Sequence, residues 1–285
     1  MNSPRRGRLI RAITRPPFRD ELGRKGWFER VSRARPHIVR RLNLKIAVWP
    51  QWPRPLRVAF LSDFHVGSHS GDVKRLQAIV AEAAKFAPDI ALFGGDYVNL
   101  QPLGGGRVPP LVTAGILGAL LAPCGRFAIL GNHDMEYGAH EVTAALRKHG
   151  MIVLDDAQTT FSFQGRTIWI VGIPDGKVTR PSARALLAQL PAEPALVLAH
   201  DPVWFADLPA GPFLMLAGHT HGGQIKLPGI GILSNASKAP RRWSHGLIAE
   251  HGKHLYVTSG LGTSNIPLRI GVAPEIVLME VSGSP

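Results

Sequence analysis

The feature that most constrains this chain is a series of five short apolar segments, each followed by polar residues able to bind a metal ion. In chain order, those residues are Asp63 with His65, then Asp96, then Asn132 with His133 and Asp134, then His200, and finally His219 with His221. Glycines beside these polar residues allow the backbone to turn sharply there. In open α/β sheets, ligands bind at the carboxyl ends of the strands. We therefore expect one polar cluster at one edge of the fold.

The hydrophobic pattern around these segments alternates between buried strands and amphipathic helices. In the first half, strands are expected over residues 56–61, 89–93 and 126–130, and helices over 73–86, 111–121 and 139–149. The second half is richer in strands, which are expected over 152–154, 159–163, 167–172, 195–199, 213–217, 246–250, 254–259 and 275–281, with a helix over 181–190. This order predicts an α/β fold, a four-layer α/β/β/α sandwich with two mixed sheets packed face to face.

The donor atoms at the five strand ends are nitrogen and oxygen, and Cys124 is the only cysteine of the chain. Such a set suits manganese, iron, zinc or nickel and disfavours copper(I) and iron–sulfur clusters. It is too large for one tetrahedral zinc ion, which takes three or four ligands. It fits two metal ions that share a bridging carboxylate and act together on a phosphoryl group.

The formal net charge of +13 comes from the N-terminal 57 residues, because the rest of the chain has equal numbers of basic and acidic side chains. We expect a basic arm over residues 1–55 and a catalytic domain over 56–285. The arm is open to three interpretations: a loosely docked extension, attachment to an anionic membrane surface, or nucleic-acid binding. The neutral body makes nucleic acid an unlikely partner. No secretory signal is recognisable, so we expect a cytoplasmic protein, with attachment to the inner membrane face as the alternative.

The ordered residues resemble the calcineurin-like metallophosphoesterase superfamily. The stretches Gly218-His-Thr-His-Gly-Gly-Gln-Ile, Ser259-Gly-Leu-Gly-Thr-Ser, Pro267-Leu-Arg-Ile and Pro274-Glu-Ile are similar to its bacterial branch of small phosphodiesterases, which includes UDP-diacylglucosamine hydrolases. The resemblance implies two divalent metal ions, with manganese as the expected ion. The ligand sets it implies are Asp63, His65 and His221 for the first ion, Asn132, His200 and His219 for the second, and Asp96 as the bridge.

The resemblance also implies a reaction. A metal-bound hydroxide would attack a phosphodiester or pyrophosphate, lipid-linked or nucleotide-linked, while His133 assists the leaving group and Asp134 orients His133. Asn99 departs from the acidic residue that the branch often has there. Arg269 could meet a substrate phosphate or form a structural salt bridge. The alternatives are a phosphomonoesterase or nuclease on the same core, and a scaffold of this fold that binds partners without catalysis.

Overall fold

The computed structural model describes residues 34–69, 71–101, 106–174 and 181–284 of the chain. The four α-helices of these residues are α1 (Asp72–Ala84), α2 (Pro110–Gly118), α3 (Asn132–Lys148) and α4 (Pro181–Ala188). The strands are β1 (Ile38–Ile46), β2 (Leu56–Leu61), β3 (Ile90–Phe93), β4 (Arg126–Ala128), β5 (Ile152–Val153), β6 (Ala157–Phe163), β7 (Arg166–Ile173), β8 (Ala195–Ala199), β9 (Phe213–Ala217), β10 (Lys226–Leu227), β11 (Gly231–Ile232), β12 (Gly246–Glu250), β13 (Lys253–Val257) and β14 (Glu275–Gly283).

Twelve of these strands form two six-stranded mixed sheets. The first has the order β1-β14-β2-β3-β4-β5, in which β2 to β5 run parallel and β14 is antiparallel to β2. The second has the order β12-β13-β9-β8-β7-β6, in which the four central strands run parallel. A short hairpin, β10–β11, lies outside both sheets.

Three hydrophobic clusters show how the layers stack. The central cluster takes side chains from both sheets, for example Phe60 of β2 and Leu198 of β8, so the sheets pack face to face. Helices α1, α2 and α3 cover the outer face of the first sheet, and α4 covers the outer face of the second. Successive residues of β8 alternate between the central cluster and the outer cluster, which explains its uninterrupted apolar sequence. The predicted four-layer α/β/β/α sandwich is confirmed.

The predicted boundary of the basic arm needs a correction. Residues of β1, inside the expected arm over 1–55, pair in parallel with β14 along the whole strand. Leu44 and Ile46 are buried in the central cluster, so this part of the arm belongs to the catalytic fold. The pairing joins distant parts of the sequence, and arginines and a lysine beside the apolar residues of β1 concealed the strand pattern. Residues 1–33, where most of the basic excess lies, are outside the described residues.

Helix α3 also differs from its prediction, since it begins at Asn132 and not at residue 139. The first turn has no apolar residues at helical spacing, so the hydrophobic pattern did not predict it. The Asp134 carboxylate stabilises this turn by accepting a hydrogen bond from the Gly131 backbone N–H. Gly138 interrupts the helix with a φ of 149°, a value that suits glycine. Within the described residues, no helix is both long enough and apolar enough to cross a membrane.

Candidate metal centre

The five polar strand ends meet at one edge of the sandwich. Asp63 and Asp96 follow β2 and β3 of the first sheet, and His200 and His219 follow β8 and β9 of the second. Several hydrogen bonds join the sheets at this edge, including two that involve side chains of expected ligands. The His219 backbone N–H donates to Asp63 Oδ1 (2.9 Å), and His200 Nδ1 lies 2.7 Å from the Gly94 carbonyl oxygen. The central packing of the sheets therefore decides which polar loops face each other.

One group of candidate ligands consists of Asp63, His65 and His221, whose ligand atoms all lie within 4.8 Å of one another. His65 Nε2 is 3.2 Å from His221 Nε2, and their rings stack with centroids 5.0 Å apart. All three side chains are buried. Two imidazole nitrogens and a carboxylate directed at one point form a donor set for a divalent cation.

A second group consists of Asp96, His200 and His219. His219 Nδ1 lies 3.3 Å from His200 Nε2, and Asp96 Oδ2 lies 3.5 Å from that same His200 nitrogen. Asp96 Oδ2 is also 3.4 Å from His65 Nε2. The same Asp96 oxygen therefore lies close to a histidine of each group.

Helix α3 begins with Asn132 and His133, and His133 lies at the same centre. Asn132 Oδ1 is buried without a hydrogen-bond partner among the described residues, and the same holds for Asp63 Oδ2. A buried oxygen without a partner costs about 1–3 kcal/mol, and a cation at this position would remove that cost. The His133 ring packs edge-on against His65 (centroids 4.8 Å apart), and its Nε2 is 3.4 Å from Ser264 Oγ.

The backbone at this edge is strained. Asp63, His65, Asp96, His219 and His221 all have φ between 40° and 68°. This left-handed conformation costs a residue with a Cβ about 1–2 kcal/mol. Such residues cluster at functional sites, where the surrounding structure holds them. Five candidate ligands have this conformation, which indicates that the surrounding structure holds the backbone in a shape that brings their side chains together.

The electrostatics of the centre favour the protonation states that metal ligands need. Burial lowers the pKa of His65 to about 3 and also lowers the pKa of His221, so both imidazoles are neutral. Burial alone would raise the pKa of Asp96, but the neighbouring His200 brings it well below its usual range. Burial raises the pKa of Asp63, an effect that a nearby cation would oppose. Neutral imidazoles and an ionised carboxylate fit a divalent cation.

The structure corrects the expected role of Asp134. Its buried carboxylate accepts four backbone N–H bonds, from Asp96 (2.7 Å), Gly131 (2.9 Å), Tyr97 (2.9 Å) and Val98 (3.3 Å). Asp134 therefore positions the loop that carries Asp96. Its two oxygens are committed to backbone donors, so it does not orient the imidazole next to it in sequence. Burial and the neighbouring Asp96 carboxylate raise the pKa of Asp134, and the hydrogen bonds from Gly131 and Val98 oppose that rise.

Arg269 has a role that the sequence did not show. The side chain is 3% exposed, and its guanidinium donates to the carbonyl oxygens of Ser259 (2.6 Å), Gly262 (2.6 Å) and His221 (3.3 Å). Among the described residues, no carboxylate lies within ion-pair distance of it. Arg269 therefore ties the loop carrying His221 to a second loop, and the expected salt bridge is not formed among the described residues. An arginine that joins two loops through their carbonyl oxygens produces no hydrophobic pattern in the sequence, so sequence analysis does not reveal this role.

Asn99 is likewise engaged with its own loop. Its side-chain amide donates to the Gly106 carbonyl oxygen, and its oxygen accepts the Gln101 backbone N–H. Asn99, which stands where the family branch often has an acidic residue, therefore stabilises a loop and adds no group to the metal centre.

Residues 56–223 match the family described as calcineurin-like phosphoesterase. The chain belongs to this family. Membership, together with the clustered aspartates and histidines, identifies it as a metal-dependent phosphoester hydrolase. The predicted superfamily is thus confirmed.

Curated relatives align over most of the chain. Phosphodiesterase YaeI of Escherichia coli is 31% identical over 90% of this chain and 89% of its own length. The uncharacterized protein YpbG of Bacillus subtilis is 28% identical over 80% of this chain and 82% of its own length. The uncharacterized metallophosphoesterase YkoQ of Bacillus subtilis is 29% identical over 80% of this chain and 84% of its own length.

Proposed function

We propose that this phosphoesterase hydrolyses a phosphodiester or a pyrophosphate at a centre that holds two divalent cations, with Mn²⁺ as the expected ion. The observation that carries the proposal is that Asp96 Oδ2 lies close to a histidine of each group, 3.4 Å from His65 Nε2 and 3.5 Å from His200 Nε2. A carboxylate shared by two groups of ligands is the arrangement that a dinuclear site requires.

The proposed ligands are the members of the two groups together with Asn132, which the family resemblance adds and whose buried Oδ1 lacks a partner among the described residues. Asp63, His65 and His221 would hold one cation, Asn132, His200 and His219 would hold the other, and Asp96 would bridge them. The donor set contains no thiolate, so iron, zinc or nickel could replace manganese. Bound divalent cations supply Lewis acidity towards the phosphate oxygens and make water a better nucleophile.

His133 is the proposed catalytic residue. It lies beside the ligands and not within either proposed ligand set, and its backbone N–H donates to Asp96 Oδ1 (2.9 Å), which fixes the start of α3 against the bridging carboxylate. Its Nε2 faces the Ser264 hydroxyl, and from this position it would protonate the oxygen that leaves phosphorus. His133→Ala should lower turnover much more than metal content. Loss of metal with unchanged residual turnover would contradict this role.

The preference for diesters rests on the similarity to the E. coli phosphodiesterase. It is tested by stripping the protein of metal with a chelator, restoring Mn²⁺, and comparing bis-p-nitrophenyl phosphate with the monoester p-nitrophenyl phosphate. We expect metal-dependent hydrolysis of the diester, lost in Asp96→Asn and retained in Asp207→Asn, a matched change at an exposed carboxylate. Faster monoester hydrolysis would indicate a phosphatase. No hydrolysis of either ester, with metal demonstrably bound, would favour the non-catalytic scaffold.

A lipid-linked phosphate ester and an anionic membrane surface on the cytoplasmic side belong to the same proposal. The support is the basic N-terminal sequence, since each Lys or Arg near such a surface contributes about 1 kcal/mol. Flotation with anionic liposomes, with and without residues 1–33, tests this part. Equal recovery of both forms would argue against membrane attachment.

A further inference from the structure

A cavity of about 230 Å³ lies beside the metal centre. Its lining includes His221, Ile225, Leu233, Ala236, Ser264 and Ile266. Ligand pockets that enclose a whole small molecule have about 300–1,000 Å³. This cavity is smaller, so it has room for one substituent of a substrate.

The available surface of the cavity is aliphatic. Ile225, Leu233 and Ile266 supply apolar walls, and His221 is the one ionisable side chain among the described residues that line it. The polar side chain of Gln224 is occupied by the protein: its amide nitrogen donates to the Ser264 carbonyl oxygen (3.0 Å) and its oxygen accepts the Ser264 backbone N–H (2.8 Å).

The remaining polar lining residues fit this picture. The Thr220 hydroxyl donates to the Ser244 carbonyl oxygen (2.7 Å). Ser234 and Asn265 are exposed to solvent, which suits the mouth of the cavity. The lining contains no aromatic side chain apart from the His221 imidazole, so it offers no platform for stacking a nucleobase.

Two contacts connect the cavity to the chemistry. His221, in its wall, has Nε2 only 3.2 Å from His65 Nε2 in the first ligand group. Ser264, also in its wall, has its hydroxyl 3.4 Å from His133 Nε2. A phosphate at the metal centre would therefore have one ester oxygen next to the cavity.

From these observations, we infer that the cavity is a subsite for an uncharged aliphatic substituent of the phosphate ester. The inference rests on the proposed function, because it requires a phosphate at the metal centre. It adds a substrate class, namely phosphate esters with an alkyl group attached near phosphorus. Burial of a methylene group contributes about 0.8 kcal/mol, which corresponds to about fourfold tighter binding.

The experiment measures binding and does not depend on turnover. The dissociation constants of inorganic phosphate, methyl phosphate, n-butyl phosphate and n-hexyl phosphate are determined by calorimetry with the full-length, Mn²⁺-loaded protein. We expect n-butyl phosphate to bind at least tenfold more tightly than methyl phosphate, up to about sixtyfold if all three added methylenes are buried. The gain should level off once the chain outgrows the cavity.

Two variants and a control test whether the cavity causes the dependence of affinity on alkyl chain length. Leu233→Ser should weaken the dependence on chain length, and Ala236→Phe should fill the cavity and remove it. Leu247→Ser is the matched control, because Leu247 is 48% exposed and lies on β12 outside the cavity, whereas Leu233 is 49% exposed. Both leucines are too exposed for these changes to threaten folding. Neither variant nor control should change the affinity for inorganic phosphate.

The outcomes separate the two proposals. If phosphate binds in a metal-dependent way but affinity does not rise with chain length, the subsite is refuted while the proposed phosphate site stands. A rise in affinity that is equal in Ala236→Phe would also refute the subsite, since the alkyl chain would then lie elsewhere. Failure of inorganic phosphate to bind the metal-loaded protein would overturn both proposals.

Discussion

Asp134 offers the sharpest test of how this centre is held together. The carboxylate is fully buried, and each of its oxygens accepts two backbone N–H bonds, Oδ2 from Asp96 and Gly131 and Oδ1 from Tyr97 and Val98. Asp134→Asn keeps the size of the side chain but replaces one oxygen by an amino group. That amino group can only face two N–H donors, which then lack an acceptor.

The cost follows from those two donors. A buried polar group left without its partner costs about 1–3 kcal/mol, so we expect the free energy of unfolding to fall by about 2–6 kcal/mol. The affinity for Mn²⁺ should fall as well, because two of the four hydrogen bonds fix the backbone on either side of Asp96. Loss of a residue that orients a metal ligand typically reduces metal affinity about 10–100-fold.

Urea unfolding and Mn²⁺ titration measure these two effects. Asp207→Asn is the control, since Asp207 is exposed and pairs with Arg184 at the surface, where the loss should stay within about 1 kcal/mol. The competing view is that Asp134 acts by orienting His133. A variant with unchanged stability and metal affinity but reduced turnover would support that view and refute our reasoning.

Three further predictions concern the surrounding fold. Ile46→Ala should lower the free energy of unfolding by about 2–5 kcal/mol in urea titrations, because Ile46 is 1% exposed in the central core; no change would show that β1 is dispensable. Gly131→Ala should reduce Mn²⁺ affinity at least tenfold in calorimetry, because the added Cβ would overlap the Asp96 carboxylate and displace it. Unchanged affinity would show that the loop can move to accept the methyl group without displacing Asp96. Burial alone would raise the pKa of Glu275, but hydrogen bonds from His245 and other groups bring it below its usual value. Its stabilising contribution is therefore present above the unfolded pKa of about 4.3 and lost as pH falls below it. Between pH 7 and pH 3, the free energy of unfolding of Glu275→Gln, measured by urea titration, should decline less than that of the wild type. Equal declines would show that ionised Glu275 does not contribute to the pH dependence of stability.

The sequence predicted the fold where local signals were strong. Apolar runs such as Leu56–Leu61, interrupted only by Arg57, and Ala195–Ala199 identify strands buried on both faces, and the polar residues that follow them mark the ligand edge. The strand β1 was missed because its partner, β14, lies at the other end of the chain. Pairing between distant segments depends on packing, and local propensity does not report it.

The same division applies to the site. Within each sheet, the residues that the sequence marked lie together because the carboxyl ends of parallel strands share an edge. The packing of the two sheets then brings both sets into one cluster. The roles of Asp134 and Arg269 could be identified only from the tertiary structure. Each binds backbone groups of loops that are distant in sequence but follow neighbouring strands of one sheet, β3 and β4 for Asp134 and β9 and β13 for Arg269. The sequence by itself determined the chemistry and order of the candidate ligands, and the tertiary structure decided which residues hold them in place.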